Sequence, residues 1–450
     1  MAKTIKLKRG FDINLVGKPE KKLADIPQSE TFAIKPTDFP HIIQPKILVH
    51  EGDNVKVGTP LLFEKSMERV MFCSPVSGEI VEIKRGARRK VLEIKILADK
   101  EMNAESLQKY SASELAGLSR EDAISHMTKH GVWPQVIQRP YGIVANPADT
   151  PKAIFVSGFD SHPLAPDVAF TLQDSLEHFK AGMDVLKKLT EGEVHLNLNG
   201  SDDLLPAQNV QVNKFEGPHP AGNVGVQIHH IDPISKGDLI WTVSPYGVAQ
   251  IGQLFMEGEY PSSQIIAVTG SEVKAPSYIK VRQGTCLNKV IEEMVGAGNN
   301  RIISGNPLTG ESVGAEGYLG YYHHQMTVIP EGDYEEFMGW LLPSTKKLSF
   351  HRTLGLLSFL NRKKEHVVDT NQHGEERNFV VTGSFEQVLP MDILPMYLFK
   401  AIMAEDFEEM EALGIYELIE EDIALCEFID VSKNELQEVL REGIDLIRTS

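Results

Sequence analysis

Three groupings of histidine supply most of the ligand and proton chemistry open to this sequence. His219 stands between two prolines in GPHPAG (217–222), His229 and His230 follow ten residues later, and His323 and His324 sit in YYHHQ. Neutral imidazoles ligate zinc, and three within reach of one ion would suffice. Read as adjacent residues of a strand, however, His229 and His230 turn to opposite faces, so one ion cannot take both. The expectation is a hydrogen-bonded turn and no metal site. The glycines of SGNPLTGESVGAEGYLG, ahead of His323, follow a strand and lack GxGxxG or Walker spacing, so tight turns account for them and the two histidines read as satisfied near-surface residues. Cys73, Cys286 and Cys426 are far apart and odd in number. That excludes a disulfide framework, an iron–sulfur cluster and a Cys-rich zinc site, and fits a reducing compartment. Redox chemistry on this chain requires a borrowed cofactor.

The elements that must position these residues divide into four. Residues 49–83, VHEGDNVKVGTPLLFEKSMERVMFCSPVSGEIVEI, read as half of a lipoyl- or biotinyl-type β-hammerhead. Its pattern puts Met67 where a carrier lysine should stand, with Lys65 two residues early, so the scaffold is kept without its swinging arm. Residues 1–100 as a whole are short alternating strands with Gly and Pro punctuation. From 101 to 260, Ser caps ahead of Glu114 and Asp122, the strand AIFVSG (153–158), a helix over 175–189 and the strand EVHLNLN (193–199) alternate as in a parallel α/β layer. Residues 261–330 read as strand, strand, helix, strand, a β-grasp pattern, and 331–450 as linker and helices, with an amphipathic segment at 434–447.

With 450 residues and 42% hydrophobic content the chain can bury several cores, and no run of about 18 apolar residues is present. The start, MAKTIKLKRG, has no apolar region behind its charges, so a cytoplasmic chain is expected. Formal net charge is −18, which disfavours nucleic acid and anionic surfaces generally. Two local basic spots depart from this, Lys3, Lys6, Lys8 and Arg9 at the start, and KRGARRK (84–90). Lys84, Arg85, Arg88, Arg89 and Lys90 of the second spot are expected either to solvate a turn or to dock on an acidic partner or a lipid headgroup.

The order hammerhead, α/β layer, β-grasp, helical tail, with KLKRGFDINLVGKP, AIFVSGFDSHPLAPD (153–167), FEGPHPAGNVG (215–225), RIISGNPLTG (301–310), YLGYYHHQ (318–325) and FEQVLPMDILP (385–395), resembles the A subunits of the bacterial Na+-translocating NADH:quinone oxidoreductases over nearly the whole length. A more distant likeness runs to the C subunit of the Rnf complex and the flavoprotein subunit of complex I. The resemblance implies a barrel-sandwich hybrid, a Rossmann-like domain derived from an FMN/NADH-binding one, a β-grasp (SLBB-like) domain and a degenerate iron–sulfur domain. Departures are specific. The flavin-phosphate loop becomes KHGVWPQVIQRPYG (129–142), where Gly131 stands alone, and the second flavin loop becomes Ser157 to Pro163. The tail keeps only Cys426, with Asp430 where another thiolate might sit.

The resemblance therefore implies a peripheral subunit on the cytoplasmic face of the bacterial inner membrane, holding no tight cofactor. NAD, FMN, FAD and iron–sulfur centres would be carried by other subunits, and an integral membrane subunit would be the chief partner. Quinone, ubiquinone or menaquinone, would be its substrate, in a reaction coupled to Na+ export. A quinone needs apolar walls and hydrogen-bond donors, and Trp133, Tyr141 and Phe159 with His130 and His162 are expected at the carboxyl edge of the α/β sheet. The other reading is a cofactor-free scaffold in which these aromatics plug the former flavin cleft.

Overall fold

The computed structural model describes residues 3–200, 209–338, 347–350 and 364–449, so part of the segment read as linker lies outside the described residues. Strands β1 (Lys3–Lys6), β2 (Leu23–Ala24), β3 (Thr31–Ile34), β4 (Pro45–Ile47), β5 (Asn54–Val55), β6 (Pro60–Glu64), β7 (Met67–Cys73), β8 (Gly78–Arg85) and β9 (Val91–Ala98) open the chain. Two small sheets, ordered β3-β9-β8-β5 and β4-β6-β7, close on each other around Phe32, Leu61, Val70, Phe72, Ile80, Ile94 and Ile96. At the hammerhead tip β6 and β7 stay paired as far as Glu64 opposite Met67. The turn is therefore Lys65-Ser66, and Met67 is the partly buried first residue of β7 instead of the tip.

The first two strands leave this unit. β1 adds in parallel to the edge of the large sheet, and β2 adds to the sheet of residues 263–330. Four- and two-residue strands carry too little periodicity to announce which sheet edge they satisfy.

The middle of the chain holds α1 (Ala112–Gly117), α2 (Arg120–Lys129), β10 (Val136–Arg139), β11 (Ile143–Val144), β12 (Ala153–Ser157), α3 (Val168–Thr171), α4 (Leu176–Leu186), β13 (Glu193–Asn199), β14 (Gln211–Glu216), α5 (Val224–Ile231), β15 (Ile240–Val243) and α6 (Pro245–Glu257). Ser111 caps α1 in a reciprocal box with Glu114, and Ser119 caps α2 through Asp122, so backbone donors at each start are satisfied locally. The sheet runs β1-β14-β13-β12-β15-β10-β11, with the strands from β1 to β15 parallel and β10 antiparallel to β15. One face is covered by α4 and α6, the other by α5.

Helices α4 and α6 cross with backbones nearly touching. A Cβ on Gly182 would lie 1.9 Å from the Val248 carbonyl oxygen, and one on Gly252 would lie 1.8 Å from that of His178. Gly252→Ala is expected to cost about 1–3 kcal/mol by prising the helices apart, with a chemical-denaturation midpoint as the readout.

Residues 224–231 correct the strand reading. Val224–Ile231 is helical because Asn223 opens it and Gly225, Val226, Gln227 and Ile228 all find buried contacts under the sheet, a run too short for its period to be read unambiguously. His229 and His230 consequently point to neighbouring faces and clasp the tail. His229 Nδ1 donates to Glu417 at 2.8 Å while its Nε2 accepts the Asp392 amide, and His230 Nε2 donates to the Pro390 carbonyl at 2.9 Å.

Strands β16 (Ser263–Thr269), β17 (Ser277–Arg282), β18 (Asn300–Ser304), β19 (Glu311–Val313) and β20 (Gln325–Pro330), with α7 (Asn288–Met294) packed on them, form the third unit in the order β19-β18-β20-β16-β17-β2. The tail folds as α8 (Phe385–Val388), α9 (Pro395–Met403), α10 (Phe407–Ala412), α11 (Glu420–Ile429) and α12 (Leu436–Thr449). These helices share one core with Phe155, Phe215, Val226 and Ile228 of the large sheet and α5.

Candidate functional site at the strand switch

The chain passes from β12 outward through β13 to β14, then returns to place β15 on the opposite side of β12. Loops leaving the carboxyl ends of β12 and β15 therefore diverge, and in open α/β sheets ligands bind at such a switch point. Residues 158–163 leave β12 there, and Ser244 to Tyr246 leave β15 into α6. The turn 217–222 after β14 closes on the first loop, because a Cβ on Gly222 would lie 2.6 Å from the Ser161 amide nitrogen.

This approach collects imidazoles. His162 Nδ1 is 2.6 Å from Asp160 Oδ1, and the same oxygen accepts the His162 amide at 2.8 Å. The His219 ring lies 4.7 Å from that of His162, with Nδ1 3.0 Å from Ser161 Oγ, which itself accepts the Gly222 amide. From the third unit His324 stacks on Tyr246 at 3.6 Å and 18°. Burial alone would lower the His162 pKa, but the Asp160 carboxylate outweighs it and raises it above the ordinary value. Burial, and then repulsion from protonated His162, lower His219 to about 3. The Nε2 atoms of His162 and His219 and Nδ1 of His324 are buried with no hydrogen-bond partner. With Nδ1 of His162 donating to a carboxylate, its Nε2 accepts in the neutral ring and donates in the imidazolium, and no protein group meets it in either form.

Beneath these loops a buried amide chain ties sheet to α5. Ser157 accepts from Gln227 Nε2 at 2.8 Å, Gln227 Oε1 accepts from Asn197, and Asn197 Oδ1 accepts from Asn213. Alongside, Arg139 donates to Asp422 Oδ2 at 2.7 Å and to Glu421 Oε1 at 2.6 Å, with Arg139 and Asp422 each 1% exposed. Asn223 Nδ2 donates to the Glu421 carbonyl, and a Cβ on Gly225 would lie 2.5 Å from the Asp422 carboxylate, so the starts of α5 and α11 meet here. Burial raises the pKa of Glu421 despite Arg139. Among the described residues no three His, Cys, Asp or Glu side chains are arranged to hold a metal ion.

The five residues expected at one edge are not together. Phe159 and His162 are at the carboxyl edge, Phe159 partly buried against the core shared with the tail. Tyr141 is at the amino edge instead. Because β10 runs antiparallel to β15, its last residue Arg139 sits opposite Ile240, the first residue of β15, and Tyr141 lies beyond it. There its ring approaches Tyr416 at 6.4 Å and its carbonyl accepts from Arg441. Trp133 is 0% exposed, edge-on to Trp241 at 5.4 Å, with Nε1 donating to the Ala145 carbonyl at 2.7 Å. His130 ends α2 with its ring 4.8 Å from His126.

The loop compared with a flavin-phosphate site does not fit a phosphate. A Cβ on Gly131 would lie 2.7 Å from Cys73 Sγ, and Val132, Trp133, Pro134 and Gln135 are all buried, so the backbone faces the sandwich. Sequence reasoning underrated His219 and His324, gave Asp160 no role, and passed over Tyr246, Arg139 and Asp422. The available signals were a lone arginine in the apolar strand VIQRP and a carboxylate in the apolar run of EEDIALC.

The three-unit architecture matches family models along most of the chain. Residues 5–99 match the NqrA N-terminal barrel-sandwich hybrid domain, 118–260 the NqrA second alpha/beta domain, and 265–315 the NQRA C-terminal domain. The chain is 37% identical over 443 residues to the A subunit of the Na(+)-translocating NADH-quinone reductase from Yersinia pestis bv. Antiqua (strain Angola), covering 97% of this chain and 98% of that one. It is also 37% identical over 448 residues to the protein of that name from Serratia proteamaculans (strain 568), covering 98% and 99%. The chain belongs to this family of A subunits. A solved NAD+-reducing [NiFe]-hydrogenase chain, air-oxidised, resembles it at TM-score 0.37 and 13% identity, covering 77% of this chain and 67% of that one, too weakly to carry an argument.

Proposed function

We propose that this chain is the peripheral subunit of a Na+-translocating NADH–quinone reductase that presents quinone with a proton donor, at the crevice formed by Phe159, His162 and His219. The carrying observation is the pair of buried Nε2 atoms on His162 and His219 that meet no hydrogen-bond partner. A quinone carbonyl oxygen supplies one. Asp160 raises the His162 pKa and so favours its protonated form, which can donate a proton as the ring oxygen gains electron density, while Phe159 offers an apolar wall. Electrons arrive from NADH through flavin and iron–sulfur centres on other subunits, which this chain does not hold tightly. Its middle unit is then a Rossmann-like domain over 101–260, followed by a β-grasp domain over 261–330 and a helical tail over 331–450. At the cytoplasmic face it docks on an integral membrane subunit, consistent with no described helix being long and apolar enough to cross a membrane.

A scaffold role without a quinone site is favoured by a different observation, the Tyr246–His324 stack that occupies the crevice from the third unit. Titration of the purified chain with a short-chain ubiquinone separates the two. Saturable binding that weakens roughly tenfold or more in His162→Gln is expected from loss of the hydrogen-bond donor. Absence of saturable binding would leave the chain a scaffold.

A further inference from the structure

The tip of the β8–β9 hairpin is the place where this acidic chain departs most from its own charge. Lys84, Arg85, Arg88, Arg89 and Lys90 are all exposed within seven residues, on a chain of net charge −18. Lys84 reaches Glu93 at 3.4 Å and Arg85 donates to the Arg89 carbonyl, but Arg88, Arg89 and Lys90 have no ion pair among the described residues. The turn is built against local preference. Arg88 and Arg89 have φ of +52° and +61°, two successive left-handed positions that a hairpin ordinarily gives to Asn and Gly. Arginine there adds nothing to the fold, since the turn Ala87–Arg89 buries no residue. Strain kept at an exposed turn for the sake of two guanidinium groups marks a function for those groups.

We infer that this tip docks on the anionic phospholipid headgroups of a membrane surface. Guanidinium forks match phosphate oxygens, and a headgroup layer needs charge alone. A protein partner would want a desolvated apolar or aromatic anchor at the centre of the contact, and the tip has none. Apart from the basic start of the chain, where Lys6 is paired with Glu216, the surface elsewhere is repelled by the same headgroups, so the hairpin is the principal contact and orients the chain. Docking of the tip is independent of where quinone binds.

The test is co-sedimentation of the full chain with vesicles of equal parts phosphatidylglycerol and phosphatidylcholine, against vesicles of phosphatidylcholine alone. The variant Arg88→Asn/Arg89→Gly suits the turn better than the native pair, so it folds at least as well. The native chain is expected to prefer the anionic vesicles, to lose that preference as salt rises, and to bind roughly 30-fold more tightly than the variant, two surface cations being removed. Equal binding by variant and native chain, or no preference for phosphatidylglycerol, overturns the inference. Indifference to both vesicles together with lost association between the variant and its integral membrane partner also overturns it, in favour of an acidic protein surface.

Discussion

Removal of the Asp422 carboxylate, as in Asp422→Ala, is expected to destabilise the chain by about 3–5 kcal/mol, the largest effect of any single side chain at the switch. Arg139 is enclosed between the sheet and α11, and Asp422 is one of its two anionic partners. Burial alone would lower the Arg139 pKa, and the two carboxylates hold it raised, so the guanidinium stays charged when one is deleted. Asp422 also accepts the Ile419 amide at the start of α11, so the same change uncaps that helix. A buried ion pair is worth little against a packed apolar pair, so Arg139→Met/Asp422→Leu should recover part of the loss, Glu421 being left without its guanidinium. Denaturant midpoints for the single and double variants check both statements. A double variant as unstable as Asp422→Ala would mean the cost came from the cap or from the unpaired Glu421.

Acidification below pH 6.5 is expected to unfold the protein steeply. Burial lowers His219 and His324 to about 3, and His126 and His323 to about 4, from an ordinary 6.5. Between 6.5 and those values the unfolded chain binds protons that the folded chain refuses, so stability falls as pH falls. Four such groups give a slope of up to about 5 kcal/mol per pH unit by pH 5. His162 acts in the opposite window. Its pKa is raised, so its contribution is complete below 6.5 and is lost as pH rises through its folded value. Thermal melts from pH 8 to pH 5 should level off above about pH 7 and fall sharply on the acid side. Proton uptake on unfolding at pH 5.5, measured in unbuffered solution, should exceed two, and uptake below one would contradict the burial of these rings.

What was legible in the sequence was whatever a short window determines. Ser111 with Glu114 and Ser119 with Asp122 announce two helix starts because a cap needs only four residues. The turn 87–89 and the strands around 153–157 and 193–199 are likewise local. Placement between distant segments was not legible. Nothing in KTIK says that it pairs with 213–216, and nothing in VIQRPYG says that β10 runs backward, which sends Tyr141 to the wrong edge for the expected cleft. Trp133 was an aromatic in a loop by sequence, but its N–H bond to Ala145 and its edge contact with Trp241 are core contacts. His219 joins His162 because Gly222 permits two loops to touch, a fact about backbone spacing that no single motif carries.

The most direct test of the quinone assignment is photo-crosslinking of an azido-quinone to the chain, alone and in the membrane complex, followed by peptide mapping. Label on 157–163 and 217–222, suppressed by excess quinone in both settings, is the predicted result. Competable label confined to 129–142, or none in either setting, would contradict a site at His162 and His219.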